Sequence, residues 1–480
     1  MTSSTIVSGT SFGPGLLVEL RGSKRRAQLE DRLRELVRDG TLPAGTCLPS
    51  SRALADDLEV SRRLVVDAYA QLLAEGYLVA RHGAGTYVAA TAAAGEDGSA
   101  PFAAQPLRFD FFPGAPDLAS FPRALWLRAL REVLRSAPPH TFAYPDVRGV
   151  PELRHALAGY LRRVRGVAVE PDAIVTCAGA THGLALLARA LVRLGHEGVA
   201  VEDPCLPPHR AVLSYAGLHV EAVPVDEQGL DPATLVARGP GAAPTGDHLA
   251  PSPRAVLTTP AHQCPTGVAL SPARRAALVA WARANDGFVI EDDYDAEFRY
   301  DRAPLGALQG LAPDRVAYVG TASKTLAPGL RLGWLAPPPT LIEAVVEAKL
   351  LDGLGSPVLD QLVLARLIET AAYDRHLRAA RRRNRARRDA LIAAVGHSLP
   401  DARVSGISAG LHALVRLPRK VDAHGLLAGA AKRSVGVYPL SFHMMNSPRE
   451  TDAVVLGYAG LSEPAIAEGI ARFAEALDEL

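Results

Sequence analysis

Apolar positions recur at helical spacing over the first ninety residues and in short unbroken runs after that. Between Arg26 and Asp39, residues Leu29, Leu33, Leu36 and Val37 share one face and Gly40 follows, a pattern that predicts an amphipathic helix with a glycine stop. Pro43-Ala-Gly45 predicts a turn. Ser50 suits the N-cap of a short second helix reaching Leu58, Glu59-Val60 leaves room only for a tight connection, and Ser61 caps a third helix running to about Glu75. Val65, Ala68, Tyr69 and Leu72 form the buried stripe of that third helix. After Gly76, residues 77–89 read as a hairpin with Gly83 and Gly85 near its tip, and residues 1–20 read as an arm.

Residues 89–106 are small, polar and without hydrophobic period, which predicts a flexible linker between a domain at 1–88 and a second at 107–480. In the second domain the runs are short, apolar and end in polar residues: Ala173 to Cys177, Gly198 to Asp203, Arg254 to Pro260, Gly287 to Asp292 and Arg315 to Thr321. Such runs with helices between them, for example 273–285, predict a mostly parallel α/β sheet whose strand ends, near 177, 203, 260, 292 and 321, meet on one rim. Tyr144 lies in a turn before an amphipathic helix. From about Leu351 a long helical stretch passes through seven arginines between Arg378 and Arg388, read as a solvated face or a second DNA contact. The tail alternates and closes with an amphipathic helix from about Glu463, which predicts a small C-terminal α+β subdomain.

At 480 residues two or more domains are expected, and no apolar run reaches membrane-spanning length. The N-terminus lacks the basic start and apolar core of a signal peptide, and four cysteines without CxxC spacing are no disulfide framework, so a cytoplasmic location is expected, with no membrane partner and no metal. A net charge of +1 leaves a nucleic-acid partner to be argued from local patterns.

Of the 52 basic residues only five are lysines, and one of them, Lys324, follows a strand end beside Thr321 and Ser323, with Arg331 seven residues on. An amine that forms a Schiff base with an aldehyde has to be lysine, because arginine does not deprotonate. The two hydroxyls and the guanidinium suit the phosphate of pyridoxal 5'-phosphate (PLP). Upstream, Asp292 suits the pyridine nitrogen and Tyr294 the ring hydroxyl. Gly179, Ala180 and Thr181 form a small-residue turn opening a helix, where backbone N–H groups bind phosphate. These stretches resemble fold-type I PLP enzymes, the aspartate aminotransferase superfamily. That resemblance implies that Tyr144 reaches the cofactor phosphate of a neighbouring subunit, hence a homodimer.

The N-terminal pattern of helix, short helix, tight turn, capped helix and hairpin is that of a winged helix-turn-helix. Ser61, Arg62 and Arg63 start the third helix, Ser51 and Arg52 open the second, and Arg81, His82 and Gly83 lie at the wing, all places for DNA contacts. Leu48-Pro-Ser-Ser-Arg-Ala-Leu-Ala, Val60-Ser-Arg, Leu72-Leu-Ala-Glu-Gly-Tyr-Leu and Gly83-Ala-Gly-Thr-Tyr-Val closely resemble the GntR-type winged helix. With His262-Gln-Cys-Pro-Thr-Gly267 and Glu291-Asp-Asp-Tyr-Asp-Ala-Glu-Phe, the whole resembles the MocR/GabR family of transcriptional regulators. Membership implies a dimer on double-stranded DNA with paired half-sites, PLP on Lys324, and an effector, either PLP itself or an amine or amino acid.

Three departures stand out. Cys264 replaces the asparagine that precedes Pro-Thr-Gly in aminotransferases; Cys205, Leu206, Pro207 and Pro208 replace an expected Tyr and Arg; and Val454-Val455 stand before Leu-Gly-Tyr, where a carboxylate-binding arginine is expected. Without that clamp, transamination of a standard amino acid is disfavoured, and His412, His443 or Arg210 are the replacement anchors to consider. The expected function is PLP-dependent transcriptional regulation of vitamin B6 or amino-acid metabolism; the alternative is an active aminotransferase with an accessory N-terminal domain. Cys177, Cys205 and Cys264 are read as small apolar filler near the rim.

Overall fold

The computed structural model of the chain describes residues 25–38, 42, 45–81, 85–89, 107–236, 252–300 and 305–480. The arm at 1–20, most of the linker, and the wing residues His82 and Gly83 lie outside the described residues, as does the side chain of Arg81. Contacts divide the chain into two units, 1–105 and 106–480. Among the described residues no helix is long and apolar enough to cross a membrane.

The first unit holds α1 (Arg25–Arg38), α2 (Ser51–Asp57) and α3 (Arg62–Ala74), then the antiparallel strands β1 (Leu78–Arg81) and β2 (Gly85–Val88). The two serine caps form as expected: Ser50 Oγ accepts from the Ala53 amide at 3.1 Å and Ser61 Oγ from the Leu64 amide at 3.3 Å. The faces of α1 and α3 read from the sequence close one core, with Leu29, Leu33, Val65, Ala68 and Leu72 almost wholly buried. Arg34 clamps Glu75 through two hydrogen bonds of 2.7 and 2.8 Å, tying α1 to the end of α3. Pro43 and Ala44 of the turn expected at 43–45 lie outside the described residues, and the segment that follows forms more than a connection. Residues Gly45 to Leu48 add a short edge to the hairpin, where the Val88 amide donates to the Thr46 carbonyl and the Leu48 amide to the Thr86 carbonyl. A single bridge, Cys47 to Tyr87, carries too little period-two pattern to be seen in a sequence.

The second unit is built on an eight-stranded sheet. In chain order its strands are β3 (Val175–Cys177), β4 (Gly198–Asp203), β5 (His219–Asp226), β6 (Gly229–Leu230), β7 (Ala255–Thr258), β8 (Phe288–Asp292), β9 (Val316–Thr321) and β10 (Gly333–Ala336). Spatially they run β3-β10-β9-β8-β7-β4-β5-β6. The four pairings that join the five strands from β9 through β5 are parallel, whereas β10 is antiparallel to both β9 and β3, and β6 is antiparallel to β5. The five expected strands are all there. The antiparallel β10 was not expected: Gly-Trp-Leu-Ala is only four residues long and directly follows the Lys324 loop. A four-stranded antiparallel sheet around residues 412–422 and 450–457, with helices 423–432 and 463–478, forms the C-terminal subdomain.

The end of β8 is fixed by buried charge. Strand alternation turns Glu291 and Asp293 to one side and Asp292 to the other. Glu291 accepts from the amides of Leu308 and Gln309 at 2.7 and 2.8 Å. Asp293 accepts from Arg165 at 2.7 and 2.9 Å and from the Tyr318 hydroxyl at 2.8 Å. Arg165 and Asp293 are both almost fully buried, and Arg165 also donates to the Leu305 carbonyl. Removing one partner of such a pair leaves an uncompensated buried charge. Arg165→Met is therefore expected to cost about 3–5 kcal/mol in chemical denaturation, and a variant as stable as the parent would contradict a structural role for the pair.

Candidate functional site

Five strand ends open onto a cavity of about 180 Å³, and the candidate side chains converge there. Lys324 leaves the turn after β9, and its Nζ donates to the Gly114 carbonyl at 2.9 Å. Gly114 sits at φ +75°, and a Cβ added there would lie 2.9 Å from that same nitrogen, so only glycine lets the amine stand where it does. Burial lowers the Lys324 pKa, opposed by Cys264, Asp295 and Asp292 nearby. Thr321 Oγ lies 2.9 Å from Ser323 Oγ and accepts from the Ser323 amide at 3.1 Å, which locks the two hydroxyls as a pair beside the lysine.

Across from these hydroxyls, Gly179 precedes α4 (Ala180–Arg193), and Ala180 and Thr181 line the cavity with the first turn of that helix. Arg331, held in a left-handed conformation at φ 50°, donates to the Ala178 carbonyl. Its guanidinium would meet a Cβ on Gly179 at 3.0–3.2 Å, so the arginine stacks over the glycine turn. A helix N-terminus, two hydroxyls and a guanidinium at one end of the cavity make an anion cradle.

Also lining the cavity, Asp292 is buried with Oδ1 free of any hydrogen bond among the described residues, while Oδ2 lies 3.3 Å from His209 Nε2. Burial, then the charges of Asp293 and Asp295, push its pKa up to about 7, with Lys324 pulling the other way. His209 is held neutral, its pKa lowered to about 4 by burial and by Lys324. A buried carboxylate with an unpartnered oxygen facing a cavity suits a cationic ring nitrogen. Beside it the Tyr294 hydroxyl lies 3.1 Å from His262 Nδ1, which is itself 2.9 Å from Asp295 Oδ2. Burial opposes charge on His262, but Asp295 outweighs it and raises the His262 pKa.

His209, His262 and Asp295 are functional-site residues that sequence reasoning missed. His209 lies in the stretch Pro207-Pro208-His209-Arg210, which had been read for what it lacks, and no periodicity marks a histidine reaching across to another strand's end. Of the three replacement anchors, His412 lines the cavity and is kept uncharged by burial and the neighbouring His262 and His443. Arg210 instead donates to the His443 carbonyl at 2.9 Å, and neither residue lines the cavity. Val454 and Val455 are fully buried strand residues, and Arg331 is the one arginine among the lining residues. Tyr144 is 86% exposed and outside the cavity. The three rim cysteines are buried; burial pushes the Cys177 and Cys205 thiols up to about 12 and raises that of Cys264, so none is a thiolate at neutral pH.

In the first unit, Ser61 is spent on capping, and Arg62 Nε reaches Ser51 Oγ at 3.5 Å. Arg52 is exposed, and Arg63 projects from the first turn of α3 with its side chain 91% exposed, 3.9 Å from Asp67.

Residues 25–88 match the family of bacterial regulatory proteins of the gntR type, and residues 115–472 match the aminotransferase class I and II family. The protein is thus a DNA-binding transcriptional regulator joined to an aminotransferase-like fold of type I, with PLP as its cofactor. The probable rhizopine catabolism regulatory protein MocR of Rhizobium meliloti is 34% identical over 466 residues, covering 92% of each chain. The pyridoxine biosynthesis transcriptional regulator PdxR of Corynebacterium glutamicum is 36% identical over 458 residues, covering 94% of this chain and 95% of its own. Among solved structures, kynurenine aminotransferase of Pyrococcus horikoshii superposes with a TM-score of 0.70 at 26% identity, covering 78% of this chain and 91% of its own. This chain belongs to the MocR family of HTH-type transcriptional regulators.

The raised Asp292 pKa has a direction that can be checked. Below about pH 4 the carboxyl is neutral in both folded and unfolded chains. Between about 4 and 7 the unfolded chain loses that proton while the folded one keeps it, so the native state is progressively destabilised, by on the order of 4 kcal/mol at most above pH 7. In cofactor-free protein Asp292→Asn is therefore expected to raise the Tm more at pH 8 than at pH 5. An equal or opposite change would show that the buried carboxylate is not under that strain.

Proposed function

We propose that residues 107–480 sense a ligand through PLP held at this cavity, and that residues 1–88 carry the reading to DNA through the linker at 89–106. Lys324 is the covalent anchor, Asp292 the partner of the ring nitrogen and Tyr294 that of the ring hydroxyl. Gly179, Ala180, Thr181, Thr321, Ser323 and Arg331 cradle the phosphate. When bound, PLP supplies a carbonyl carbon open to amines and a ring that withdraws electrons. The protein's own contribution is positional. His209 at 3.3 Å orients Asp292, and the Asp295–His262 pair orients the Tyr294 hydroxyl. The Lys324 amine, its pKa lowered by burial, is more available as a nucleophile at neutral pH.

The observation that carries the reading is the composition of this one cavity: a lysine, a buried carboxylate, a phenol and two hydroxyls, with its single arginine at the anion cradle and none left for a substrate carboxylate. An amine without a carboxylate, or PLP itself, fits such a site better than a standard amino acid. The likeness to PdxR, named for control of pyridoxine biosynthesis, supports PLP as the signal. On the DNA side, Ser51, Arg52, Arg62 and Arg63 with the wing residues Arg81, His82 and Gly83 make the contacts, and Ser61 sets the start of α3. A homodimer on paired half-sites, working in the cytoplasm, completes the proposal. It is supported by exposed Phe142 and Tyr144 and by exposed Leu351 in the helix Pro339–Gly353, whose following Gly355 packs close to Pro145: a Cβ on Gly355 would lie 2.8 Å from Pro145. In that dimer Tyr144 reaches the partner's cofactor phosphate.

Lys324→Ala is expected to lose the visible absorption band of the bound cofactor, and a full-strength band in that variant would remove Lys324 from its role. Binding to the chain's own upstream DNA, followed by fluorescence anisotropy at stated salt, separates the effectors. A shift with PLP alone identifies a cofactor sensor, and a shift only on adding an amine identifies an effector sensor. No specific binding in any condition, together with turnover of amino acids, would instead establish an aminotransferase.

A further inference from the structure

Helix α5 (Ala372–Ser398) carries eight arginines against two acids, Asp374 and Asp389. The structure sorts those arginines into two sets. One set is spent on partners in the fold: Arg375 donates to the Thr370 carbonyl, Arg381 donates twice to the Glu297 carbonyl, Arg383 and Arg387 pair with Asp117, and Arg388 is held by Asp389 and the Ile407 carbonyl. The other set is Arg378, Arg382 and Arg385, all exposed and with no hydrogen-bond or ion-pair partner among the described residues. Their spacing of i, i+4 and i+7 puts them on one face, along a shallow groove shared with Tyr300 and Arg381. Neither acid of the helix offsets them, since Asp374 pairs with Arg163 and Asp389 with Arg388. Three like charges on one helical face work against the helix itself, so this arrangement is not explained by folding.

The DNA-reading unit has the opposite property. Residues 25–88 contain nine arginines and nine acids, a formal charge of zero. Non-specific affinity for DNA comes from cations that displace counterions from phosphates, and a neutral module supplies little of it. The uncompensated stripe on α5 is of the right sign and reach: seven residues of helix span about 10 Å, which is three base-pair rises of about 3.4 Å on one DNA strand. Arginine also suits phosphate in its donor geometry.

We propose that Arg378, Arg382 and Arg385 form a second, sequence-independent contact for the DNA phosphate backbone, outside the winged helix. This rests on the DNA-binding reading and adds to it the surface that supplies electrostatic affinity. Full-length protein with Arg378→Gln, Arg382→Gln and Arg385→Gln combined is compared with the parent by anisotropy over a salt series, on the chain's own upstream DNA and on an unrelated duplex. Affinity at about 50 mM salt is expected to fall roughly tenfold or more on both duplexes, and the slope of log K against log salt to shrink by roughly 2 to 3, with the visible cofactor band unchanged. The corresponding triple lysine variant is expected to keep the parental slope. An unchanged slope in the glutamine variant overturns the proposal, as does loss of binding in the lysine variant, which would mark a packing role. Arg63→Ala in the winged helix serves as reference: it is expected to lower affinity for the upstream DNA. A parent that binds neither duplex would refute the DNA-binding reading itself, an outcome distinct from failure of the stripe alone.

Discussion

The buried pair of Arg165 and Asp293 is the constraint on which the cavity depends. Two almost fully buried charges 2.7 Å apart, joined by the Tyr318 hydroxyl, hold the carboxyl end of β8 against a helix some 130 residues earlier in the chain. Because side chains alternate along a strand, fixing Asp293 on one side fixes Asp292 on the other. Glu291, caught by the amides of Leu308 and Gln309, repeats the constraint one residue earlier. A carboxylate that faces a cavity with one oxygen unpaired would otherwise rotate toward water. Here its backbone is pinned on both sides, and the unsatisfied oxygen persists as a preformed feature.

That arrangement explains the electrostatic character of the site. Burial pushes Asp292 up and Lys324 down, so each is biased toward its neutral form. His209 and His412 are also held neutral. A cavity whose lysine, carboxylate and histidines lean away from charge gains when a ligand brings complementary charges to several of them at once. A molecule that carries both a phosphate and a protonated ring nitrogen does this, since Arg331, the α4 terminus and Asp292 all line the cavity. The pattern is one of preorganisation: groups whose charge burial disfavours become partners of a bound ligand.

Much of this was legible in the sequence because it rests on local rules. Serine caps at Ser50 and Ser61, stripes of leucine and valine at helical spacing, and apolar runs ending in polar residues are each decided within about ten residues, and the helices and five strands follow from them. Lys324, Asp292 and Tyr294 were legible because each sits at the polar end of such a run. What escaped was non-local. The antiparallel β10 is placed by pairing with two strands at once. His209 matters only because it meets Asp292 from another element, and the His262–Asp295 pair only because it braces Tyr294. The seven clustered arginines read as one undivided run, although Asp117, Glu297 and Ile407 consume some and leave others to solvent.

The missing carboxylate clamp acquires a physical meaning in this setting. An aminotransferase accelerates its reaction by fixing the substrate's orientation, and a bidentate arginine supplies much of that orientation in amino-acid-specific sites. In this chain the corresponding strand offers Val454 and Val455, locked in pairing with Val415 and Leu414, and the adjacent imidazole of His412 is kept uncharged. On the reading proposed above, orientation is lost while the Lys324 amine and the Asp292 carboxylate are kept, because those depend on β8 and β9 rather than on the C-terminal subdomain. That reading separates affinity for a cofactor-reactive ligand from catalytic turnover. A site that captures without turning over rapidly keeps its ligand long enough for occupancy to be read, which is the requirement of a sensor rather than of a catalyst.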